Sequence, residues 1–305
     1  MYDIIIIGAG PAGLTAAIYA RRAEKRVLVI ERDTFGGQIT HSPRVENYPG
    51  FVELSGNELA DKLIEQTIAQ GAMIELDEVT SIEGQGGDFT VNCLGGSYKA
   101  KAVIIATGSH HRQLGIEGED RLTGEGVSYC AVCDGAFFRG KTVAVIGGGN
   151  SALVDAVLLS ESCEKVYVVQ NLDRFTGEER LGQILMTRQN VEIIYSSVVK
   201  KLIGADELRG IEIENTENGE QRHLGVSGMF VAIGQVPQNK PFENIIELDK
   251  WGYAVSGENC VPNAKTEGIF VAGDCRTKTV RQVTTATADG AVAALAACRF
   301  IDSLK

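Results

Sequence analysis

The sequence lacks the features of membrane and secreted proteins. No run in its 305 residues approaches the roughly 20 apolar residues that a membrane-spanning helix needs. The apolar residues 4–7 and a glycine-rich turn come directly after the first three residues, so there is neither the basic start nor the longer apolar stretch of a signal peptide. We therefore expect a cytoplasmic protein of about two domains.

Positive charge is also scarce. The chain has 29 Lys and Arg residues against 40 Asp and Glu residues, a formal net charge of -11. The densest basic stretches, residues 21–26 and 200–201, are short, and we interpret both as solvated faces. Because nucleic acids and anionic membranes attract basic surfaces, we expect neither of them as a partner.

The cysteines do not form an obvious disulfide framework, because their number is odd and they are widely scattered. A zinc site usually needs four ligands, and the sequence has no second CxxC and no HxxxH. His110 and His111 are adjacent and would point apart on a strand. We therefore expect no metal site. The seven cysteines are Cys93, Cys130, Cys133, Cys163, Cys260, Cys275 and Cys298.

Two of these cysteines, Cys130 and Cys133, form a CxxC motif that Asp134 follows directly. Two thiols at this spacing can close a disulfide and reopen it, and the pKa of a thiol falls in CxxC surroundings. Asp134 is then a candidate proton donor and acceptor. The alternatives are half of a zinc site or a chance pair for the cysteines, and a simple Asp-Gly turn for Asp134.

The beginning of the chain predicts a dinucleotide-binding unit. Residues 4–7 form a continuous β-branched run typical of a buried strand, residues 14–22 predict a helix, and residues 27–30 predict a second strand. A GxGxxG turn at residues 8–13 lies between the first strand and the helix. Its glycines let a pyrophosphate approach the helix N-terminus, and Glu31 can hydrogen-bond a ribose diol.

A second unit of the same plan follows later. It has a predicted strand at residues 142–146, a GxGxxA turn at 147–152, a helix at 151–159 and a strand at 166–169. The candidate residues for a nicotinamide nucleotide are Gly147, Gly149, Asn150, Ser151 and Gln170.

The last part of the chain completes the first unit in this interpretation. A strand over residues 102–105 ends in a tight turn, another strand runs into Asp274, and residues 286–301 predict a long helix. The expected fold is α/β, with two Rossmann-like three-layer nucleotide-binding domains, the second inserted into the first. The boundaries give a discontinuous FAD-binding domain of residues 1–115 and 245–305, and an NAD(P)H-binding-like domain of residues 116–244 that carries the CxxC.

Taken together, these motifs resemble the low-molecular-weight thioredoxin reductases of the flavoprotein disulfide reductase superfamily. The resemblance covers essentially the whole chain and includes GAGPAG at 8–13, GGQ at 36–38, ENYPG at 46–50, ATG at 106–108, the CxxC with its Asp-Gly, AGD at 272–274 and RQV at 281–283.

The resemblance implies a thioredoxin-disulfide reductase that is a homodimer, holds FAD and acts on a thioredoxin-like protein. It makes Cys133 the flavin-proximal thiol and Cys130 the interchange thiol that attacks the partner. It also implies a set of FAD-binding residues. They are Gly8, Gly10, Pro11, Ala12, Gly13, Glu31, Arg32, Gly36, Gly37, Gln38, Asn47, Val79, Thr107, Gly108, Asp274, Arg281, Gln282 and Val283.

The second unit departs from this family pattern. Gln170 stands at the same distance from Gly147 as Glu31 does from Gly8. The family has His-Arg-Arg here and a further Arg four residues after the second of these arginines, a clamp for the 2′-phosphate of NADPH. This chain has Gln170-Asn171-Leu172 and Thr176 instead, and neutral amides do not replace bidentate arginines. We expect the NADPH preference to be lost. NADPH bound weakly through other residues, NADH with Gln170 on the diol, and a reduced ferredoxin all stay open as donors.

Two other functions are compatible with the motifs. A flavin-dependent dithiol oxidase would run the CxxC in the opposite direction, with oxygen as the acceptor. A redox-sensing flavoprotein would bind FAD but show little turnover. Flavoproteins that act on ferredoxin and NADP⁺ share the fold but lack the CxxC, so Cys130 and Cys133 count against that activity.

Overall fold

The computed structural model describes residues 1–42 and 44–304. Within these residues the strands are β1 Tyr2–Ile7, β2 Val27–Glu31, β3 Met73–Leu76, β4 Val79–Gln85, β5 Asp88–Cys93, β6 Ser97–Ile105, β7 Ser109–His111, β8 Val127–Ser128, β9 Thr142–Ile146, β10 Lys165–Val169, β11 Val191–Ile194, β12 Ser197–Ile203, β13 Gly210–Asn215, β14 Gln221–Leu224, β15 Gly228–Val231, β16 Gln235–Pro237 and β17 Ile269–Val271. The helices are α1 Pro11–Arg22, α2 Gly56–Ala69, α3 Glu119–Leu122, α4 Ala131–Asp134, α5 Asn150–Ser160, α6 Glu179–Thr187 and α7 Val283–Ser303. None of these helices is long and apolar enough to span a membrane.

The chain divides into two compact units. The first comprises Met1–His110 and the chain from Val236 onward, and the second is His111–Gln235. The short strands β7 and β16 pair where the chain passes from one unit to the other and back. The second unit is thus inserted into the first, as the sequence predicted. Residues 236–244, which the sequence placed in the second domain, pack in the first unit, where Phe242 is fully buried against the sheet.

The first unit is built on a seven-stranded sheet in the order β3-β2-β1-β6-β5-β4, with β17 also paired to β6. Strands β1, β2, β3, β6 and β17 are parallel, while β4, β5 and β6 pair antiparallel. Ile4 and Ile6 face a core with α1 and α7, and Ile5 and Ile7 face the opposite core. Both faces of β1 are therefore covered, which explains its unbroken isoleucine run.

Helices α1 and α7 lie very close together because their contact residues are small. A Cβ on Gly290 would stand only 2.1 Å from the carbonyl oxygen of Ala12. Ala16, Ala293 and Ala297 are also fully buried in this core. The close approach brings the part of α7 around Gly290 beside the first turn of α1.

The second unit has a five-stranded parallel sheet in the order β11-β10-β9-β15-β8, and a three-stranded antiparallel sheet of β12, β13 and β14. Helix α5 follows β9 and buries Ala152, Leu153 and Ala156 against the parallel sheet. This repeats the order of β1, α1 and β2 in the first unit. The two glycine turns therefore lie at the carboxyl ends of parallel strands, where ligands bind in this class of sheet.

Candidate active site

The first glycine turn joins β1 to α1 through close backbone contacts. Gly8 has a φ of +107°, and a Cβ there would stand 2.4 Å from the Ala106 carbonyl oxygen. A Cβ on Gly13 would stand 1.9 Å from the Gly8 carbonyl oxygen. The Gly8 N–H donates to the Ile30 carbonyl at 2.8 Å. Only glycine fits at positions 8 and 13, and the turn is thereby closed over the ends of β2 and β6.

Gly10 is different, because the packing of the protein does not require a glycine there. Its backbone is extended, with φ -75° and ψ -179°. The nearest atom to a Cβ at this position would be the Gly36 carbonyl oxygen, at 4.0 Å. Pro11 begins α1, whose first N–H groups lack partners within the helix. A side chain at Gly10 would fill the side from which a pyrophosphate approaches, so the turn fits a dinucleotide.

Glu31 is held beside this turn by two backbone groups. Its Oε2 accepts from the Ala9 N–H at 2.7 Å, and its Oε1 accepts from the Asp33 N–H at 2.9 Å. Arg32, the next residue, pairs with the Asp33 carboxylate at 2.8 Å. The Glu31 carboxylate is thus fixed next to the glycine turn, where it can accept hydrogen bonds from a ribose diol.

A second glycine pair lies against the first turn. Gly36 and Gly37 have φ of +102° and +62°, and the Gly36 N–H donates to the Ala9 carbonyl at 2.9 Å. A Cβ on Gly37 would stand 3.2 Å from the Gly10 Cα. Gln38, the next residue, is exposed. The pair therefore adds a second wall beside Gly10.

The other predicted FAD residues come from several elements of the first unit. Asn47 Nδ2 donates to Gln282 Oε1 at 3.2 Å, and Gln282 caps α7, which begins at Val283. Thr107 Oγ1 donates to the buried Asn239 at 3.1 Å, and Gly108 follows with a φ of +67°. Val79 is buried at the start of β4.

Asp274 lies just after β17, in a turn that contacts the start of α1. A Cβ on Gly273 would stand 2.8 Å from the Ala12 Cβ, which places this turn against the first helix. Burial raises the pKa of the Asp274 carboxyl. Among residues 1–42 and 44–304, its Oδ1 is buried and has no hydrogen-bond partner. An unpaired buried acceptor is costly for the protein alone and fits a hydroxyl-bearing cofactor.

The second glycine turn repeats the geometry of the first. Gly147 has a φ of +130°, and a Cβ there would stand 2.5 Å from the Ala232 carbonyl oxygen. Gly149 resembles Gly10, because the nearest atom to its Cβ would be Thr176 Oγ1 at 3.9 Å. Asn150 begins α5, as Pro11 begins α1, and Ser151 beside it is exposed. At Gly149, as at Gly10, the packing of the protein does not require a glycine.

Gln170 does not take the position that Glu31 has in the first unit. Gln170 is 3% exposed, and its amide packs over Gly148, where a Cβ would stand 2.5 Å from the Gln170 side chain. Its Oε1 accepts from the Asn171 N–H at 3.1 Å, and its Nε2 donates to the Arg174 carbonyl at 3.0 Å. The amide therefore stabilises the loop of residues 171–174 through hydrogen bonds to its backbone. In this conformation it is not accessible to a ribose diol.

The loop after Gln170 folds back on the glycine turn. The N–H groups of Thr176 and Gly177 both donate to the Gly148 carbonyl, at 2.8 and 3.0 Å. Asn150 Oδ1 accepts from the Glu178 N–H at 2.6 Å. The exposed Arg174 pairs with its neighbour Asp173 at 3.1 Å. The loop thus lies over the second turn, and the Arg174 guanidinium is engaged by a carboxylate of the same loop.

The CxxC is closed as a disulfide in the second unit. Cys130 and Cys133 are bonded through their sulfurs at the ends of one helical turn, α4. The Cys133 N–H donates to Cys130 Sγ at 3.2 Å. Both residues are half-buried, and Val132 between them is 58% exposed. The cysteines thus form a reducible disulfide on a short, capped helical turn.

Asp134 is tied to the disulfide through Ser128. The Ser128 hydroxyl donates to Asp134 Oδ2 at 2.6 Å and accepts from the Cys130 N–H at 3.1 Å. Asp134 Oδ1 is buried and has no partner within the part of the chain that the structure describes. Burial raises the pKa of this carboxyl. A carboxyl that holds its proton above its usual range suits a group that protonates a departing thiolate.

Asp155 on α5 gives a prediction about stability, because burial raises its pKa to about 6. An acid whose pKa is raised in the folded state binds more protons there, so stability falls as pH rises from about 4 to about 6. We expect Asp155→Asn to stabilise the protein at neutral pH by on the order of 1–3 kcal/mol. The thermal midpoint of the variant should exceed that of wild type at about pH 7 and equal it at about pH 4. An equal rise in the thermal midpoint at both pH values would show that the gain does not come from removing the buried Asp155 charge.

Two glycine turns of the dinucleotide-binding type, each on its own sheet, and a reducible CxxC are the features of an oxidoreductase that acts through a disulfide. The pattern of the family described as "Pyridine nucleotide-disulphide oxidoreductase" matches residues 2–290. The chain belongs to this family, and it is an oxidoreductase enzyme with two Rossmann-like domains.

Its relatives extend over the full chain. It is 41% identical to the thioredoxin reductase of Listeria monocytogenes, over 100% of this chain and 95% of the relative. It is also 41% identical to a Clostridium pasteurianum protein described as "34.2 kDa protein in rubredoxin operon", over 98% and 97% of the two chains. The crystal structure of thioredoxin reductase from Streptococcus pyogenes has a TM-score of 0.94 and 39% identity, with 99% of each chain covered.

Sequence reasoning missed several residues of these sites. Ser128 was not identified, although a hydroxyl two residues before a CxxC is a usable signal. Asn239 is fully buried and donates to the carbonyl of Cys275 at 2.6 Å. Arg276, Lys278 and Asp289 form a buried charged cluster beside Asp274. In the sequence the only sign of it was Asp289, a charged residue within the alanine-rich segment that became α7.

Proposed function

We propose that this enzyme is a flavin-dependent thioredoxin-disulfide reductase. The observation that carries the proposal is a Cys130–Cys133 disulfide next to a buried carboxyl, in a chain whose other unit has a complete dinucleotide turn with Glu31 and a buried Asp274 oxygen that no described residue hydrogen-bonds. FAD, when bound, accepts two electrons from a donor and supplies them to a disulfide. The relatives described as thioredoxin reductases support a thioredoxin-like protein as the final acceptor.

The first unit is the proposed FAD-binding domain, and its residues supply binding and orientation. The turn at residues 8–13 would hold the pyrophosphate, Glu31 a ribose diol, and Asp274 a hydroxyl of the cofactor. The loop of Gly36 and Gly37 would close the site on one side. The remaining proposed contacts are Arg32, Gln38, Asn47, Val79, Thr107, Gly108, Arg281, Gln282 and Val283.

The dithiol formed by reduction carries out the exchange with the substrate. The Cys130 thiolate attacks one sulfur of the partner disulfide, which forms a mixed disulfide and releases the first partner thiolate. The Cys133 thiolate then attacks Cys130 Sγ, which restores the Cys130–Cys133 disulfide and releases the second partner thiolate. Asp134, with its raised pKa, is proposed to give a proton to a departing thiolate. Two electrons and two protons thus pass to the partner.

A pyridine nucleotide is the proposed donor, in line with the family description, but without a preference for NADPH. The open side of Gly149 supports binding of a pyrophosphate in the second unit. The positions of the expected phosphate clamp hold Asn171, Leu172 and Thr176. Because the Gln170 amide is buried, we expect NADH to bind through its pyrophosphate at the glycine turn and not through a hydrogen bond between Gln170 and the ribose. A reduced ferredoxin is the second donor to test, because the phosphate clamp is missing from the second unit.

An anaerobic titration tests this part of the proposal. The oxidised protein is mixed separately with NADPH, NADH and reduced ferredoxin, and the flavin absorbance is followed. We expect NADH and NADPH to bleach the flavin absorbance at similar concentrations. Oxygen consumption with a small dithiol would favour a dithiol oxidase instead, and bound FAD without turnover on any thioredoxin would favour a redox sensor. We also propose a cytoplasmic homodimer, which sedimentation of the purified protein and fractionation of cells would test.

Introducing the missing arginines should create NADPH preference. The triple substitution Asn171→Arg, Leu172→Arg and Thr176→Arg places cations on an exposed loop, with position 176 nearest to Gly149. Each good charge-assisted contact with the 2′-phosphate contributes on the order of 1.5–3 kcal/mol. We expect kcat/KM with NADPH relative to NADH to rise at least about tenfold.

The matched control carries glutamine at the same three positions, which adds length without charge. It should leave the NADPH to NADH ratio unchanged. A wild-type kcat/KM that is already about a hundredfold higher with NADPH would contradict the proposal, because Arg174 or Arg180 would then hold the phosphate.

A further inference from the structure

Helix α7 carries, in its second turn, a buried carboxylate that pairs with two cations. Asp289 is 7% exposed, and its Oδ1 accepts from Arg276 Nη2 at 2.8 Å. Its Oδ2 accepts from Arg276 Nε at 2.9 Å, from Lys278 Nζ at 2.9 Å and from the Gly273 N–H at 3.1 Å. One carboxylate thus fixes both cations and the backbone of the turn that contains Asp274.

The second cation also faces Asp274. Lys278 Nζ lies 3.9 Å from Asp274 Oδ1, and only 7% of the Lys278 side chain is exposed. Arg281 contacts the backbone of the same residue, because its Nε donates to the Asp274 main-chain carbonyl at 3.4 Å. On the side of helix α1, a Cβ on Gly273 would stand 2.8 Å from the Ala12 Cβ, so an apolar methyl group packs against this turn. The ammonium of Lys278 is therefore the cation nearest to the unpaired Asp274 oxygen.

The charges around Asp274 oppose its burial. Burial and the Asp289 carboxylate favour the protonated form of Asp274, whereas Lys278, Arg281 and Arg276 favour the anion. The protonation state of Asp274 matters for binding. An anionic carboxylate accepts a charge-assisted hydrogen bond, which is roughly twice as strong as a hydrogen bond between neutral groups. A buried lysine shared by two carboxylates contributes little to stability on its own, since desolvation offsets its attraction.

We propose that Asp289 is a positioning residue for the cofactor: it anchors Lys278 beside Asp274, so that Asp274 meets a hydroxyl of FAD as an anion. The proposal rests on the proposed binding of FAD in the first unit. Arg276 has a supporting part, because it neutralises Asp289 and leaves Lys278 to act on Asp274. None of these three residues needs to touch the cofactor.

The test measures FAD binding to protein from which the cofactor has been removed. Wild type, Asp289→Asn and Lys278→Gln are titrated with FAD while its fluorescence is followed, and the thermal midpoint of each apoprotein is recorded. Asp302→Asn is the matched control, since Asp302 is also on α7 and pairs with a lysine, Lys25, at 2.6 Å. We expect the Kd for FAD to rise at least about tenfold in both test variants and to change less than about twofold in the control.

A pH series separates positioning from a merely structural role. In Lys278→Gln the loss of FAD affinity on acidification should begin at a higher pH than in wild type, because Asp274 has lost its nearest cation. Wild-type affinity in both test variants, or weaker binding with an unmoved pH profile, would overturn the inference. If Asp289→Asn does not fold, Lys278→Gln decides alone, because it keeps the Arg276–Asp289 pair. A wild-type protein that binds no FAD would reject the proposed function and this inference together.

Discussion

Replacing either Cys130 or Cys133 by serine should abolish thioredoxin reduction while FAD stays bound. The two sulfurs form one disulfide in the second unit, and exchange needs an attacking thiolate as well as a resolving one. A serine hydroxyl can do neither, because it does not form the mixed disulfide. The proposed FAD residues all lie in the first unit or at its border, so the cofactor content should not change.

The measurement is the initial rate of thioredoxin reduction, together with the FAD content of each purified variant. Cys93→Ser is the control, because Cys93 is a half-buried free cysteine outside the motif. It should keep wild-type activity. Cys133→Ser should change the flavin spectrum more than Cys130→Ser does, since its sulfur is the proposed flavin-proximal one. Full activity in either CxxC variant would reject Cys130 and Cys133 as the catalytic dithiol. Equal flavin spectra in the two variants would reject only the assignment of Cys133 as the flavin-proximal thiol and Cys130 as the interchange thiol.

Gly10→Ala should remove FAD binding without unfolding the protein. The extended backbone at this position accepts alanine before a proline, and the nearest atom to the new Cβ is 4.0 Å away. Loss of the glycine at the N-cap and the gain in chain stiffness should keep the change in stability within about 1 kcal/mol. The methyl group would, however, stand where the pyrophosphate approaches. We expect the Kd for FAD to rise at least about a hundredfold.

The measurement compares the FAD affinity and the thermal midpoint of the apoproteins. Gly225→Ala controls for the loss of a glycine, because a Cβ at Gly225 also meets no atom within 4 Å. It should change neither quantity. Unchanged FAD binding in Gly10→Ala would show that the cofactor does not use this turn.

The elements around the two glycine turns were predictable because their sequences show local patterns. The strand expected at residues 142–146 has those bounds as β9, and the strand at residues 4–7 lies within β1. Helix α7 begins at Val283, before the predicted residue 286. Gln282 and Thr285 cap it reciprocally there, a pair that the usual Ser or Thr capping signal does not include. The inserted order of the units also followed from the repeated turn.

The features that could not be predicted depend on where side chains point. The spacing placed Gln170 at the ribose position, but only the structure shows its amide folded over Gly148. The contact between Asp289 and Lys278 likewise joins a helix to a turn, and no periodic pattern marks it. The identity of the electron donor depends on such side-chain positions, which explains why the sequence left it open.

One anaerobic experiment tests the central claim without knowledge of the donor. The purified protein is reduced by two electrons with a chemical reductant, and an oxidised thioredoxin is then added while the flavin absorbance is followed. The account predicts that the flavin returns to its oxidised spectrum and that one thioredoxin dithiol appears for each enzyme chain, in wild type but not in Cys130→Ser. A flavin that stays reduced in the presence of excess oxidised thioredoxin would contradict the assignment of this enzyme as a thioredoxin-disulfide reductase.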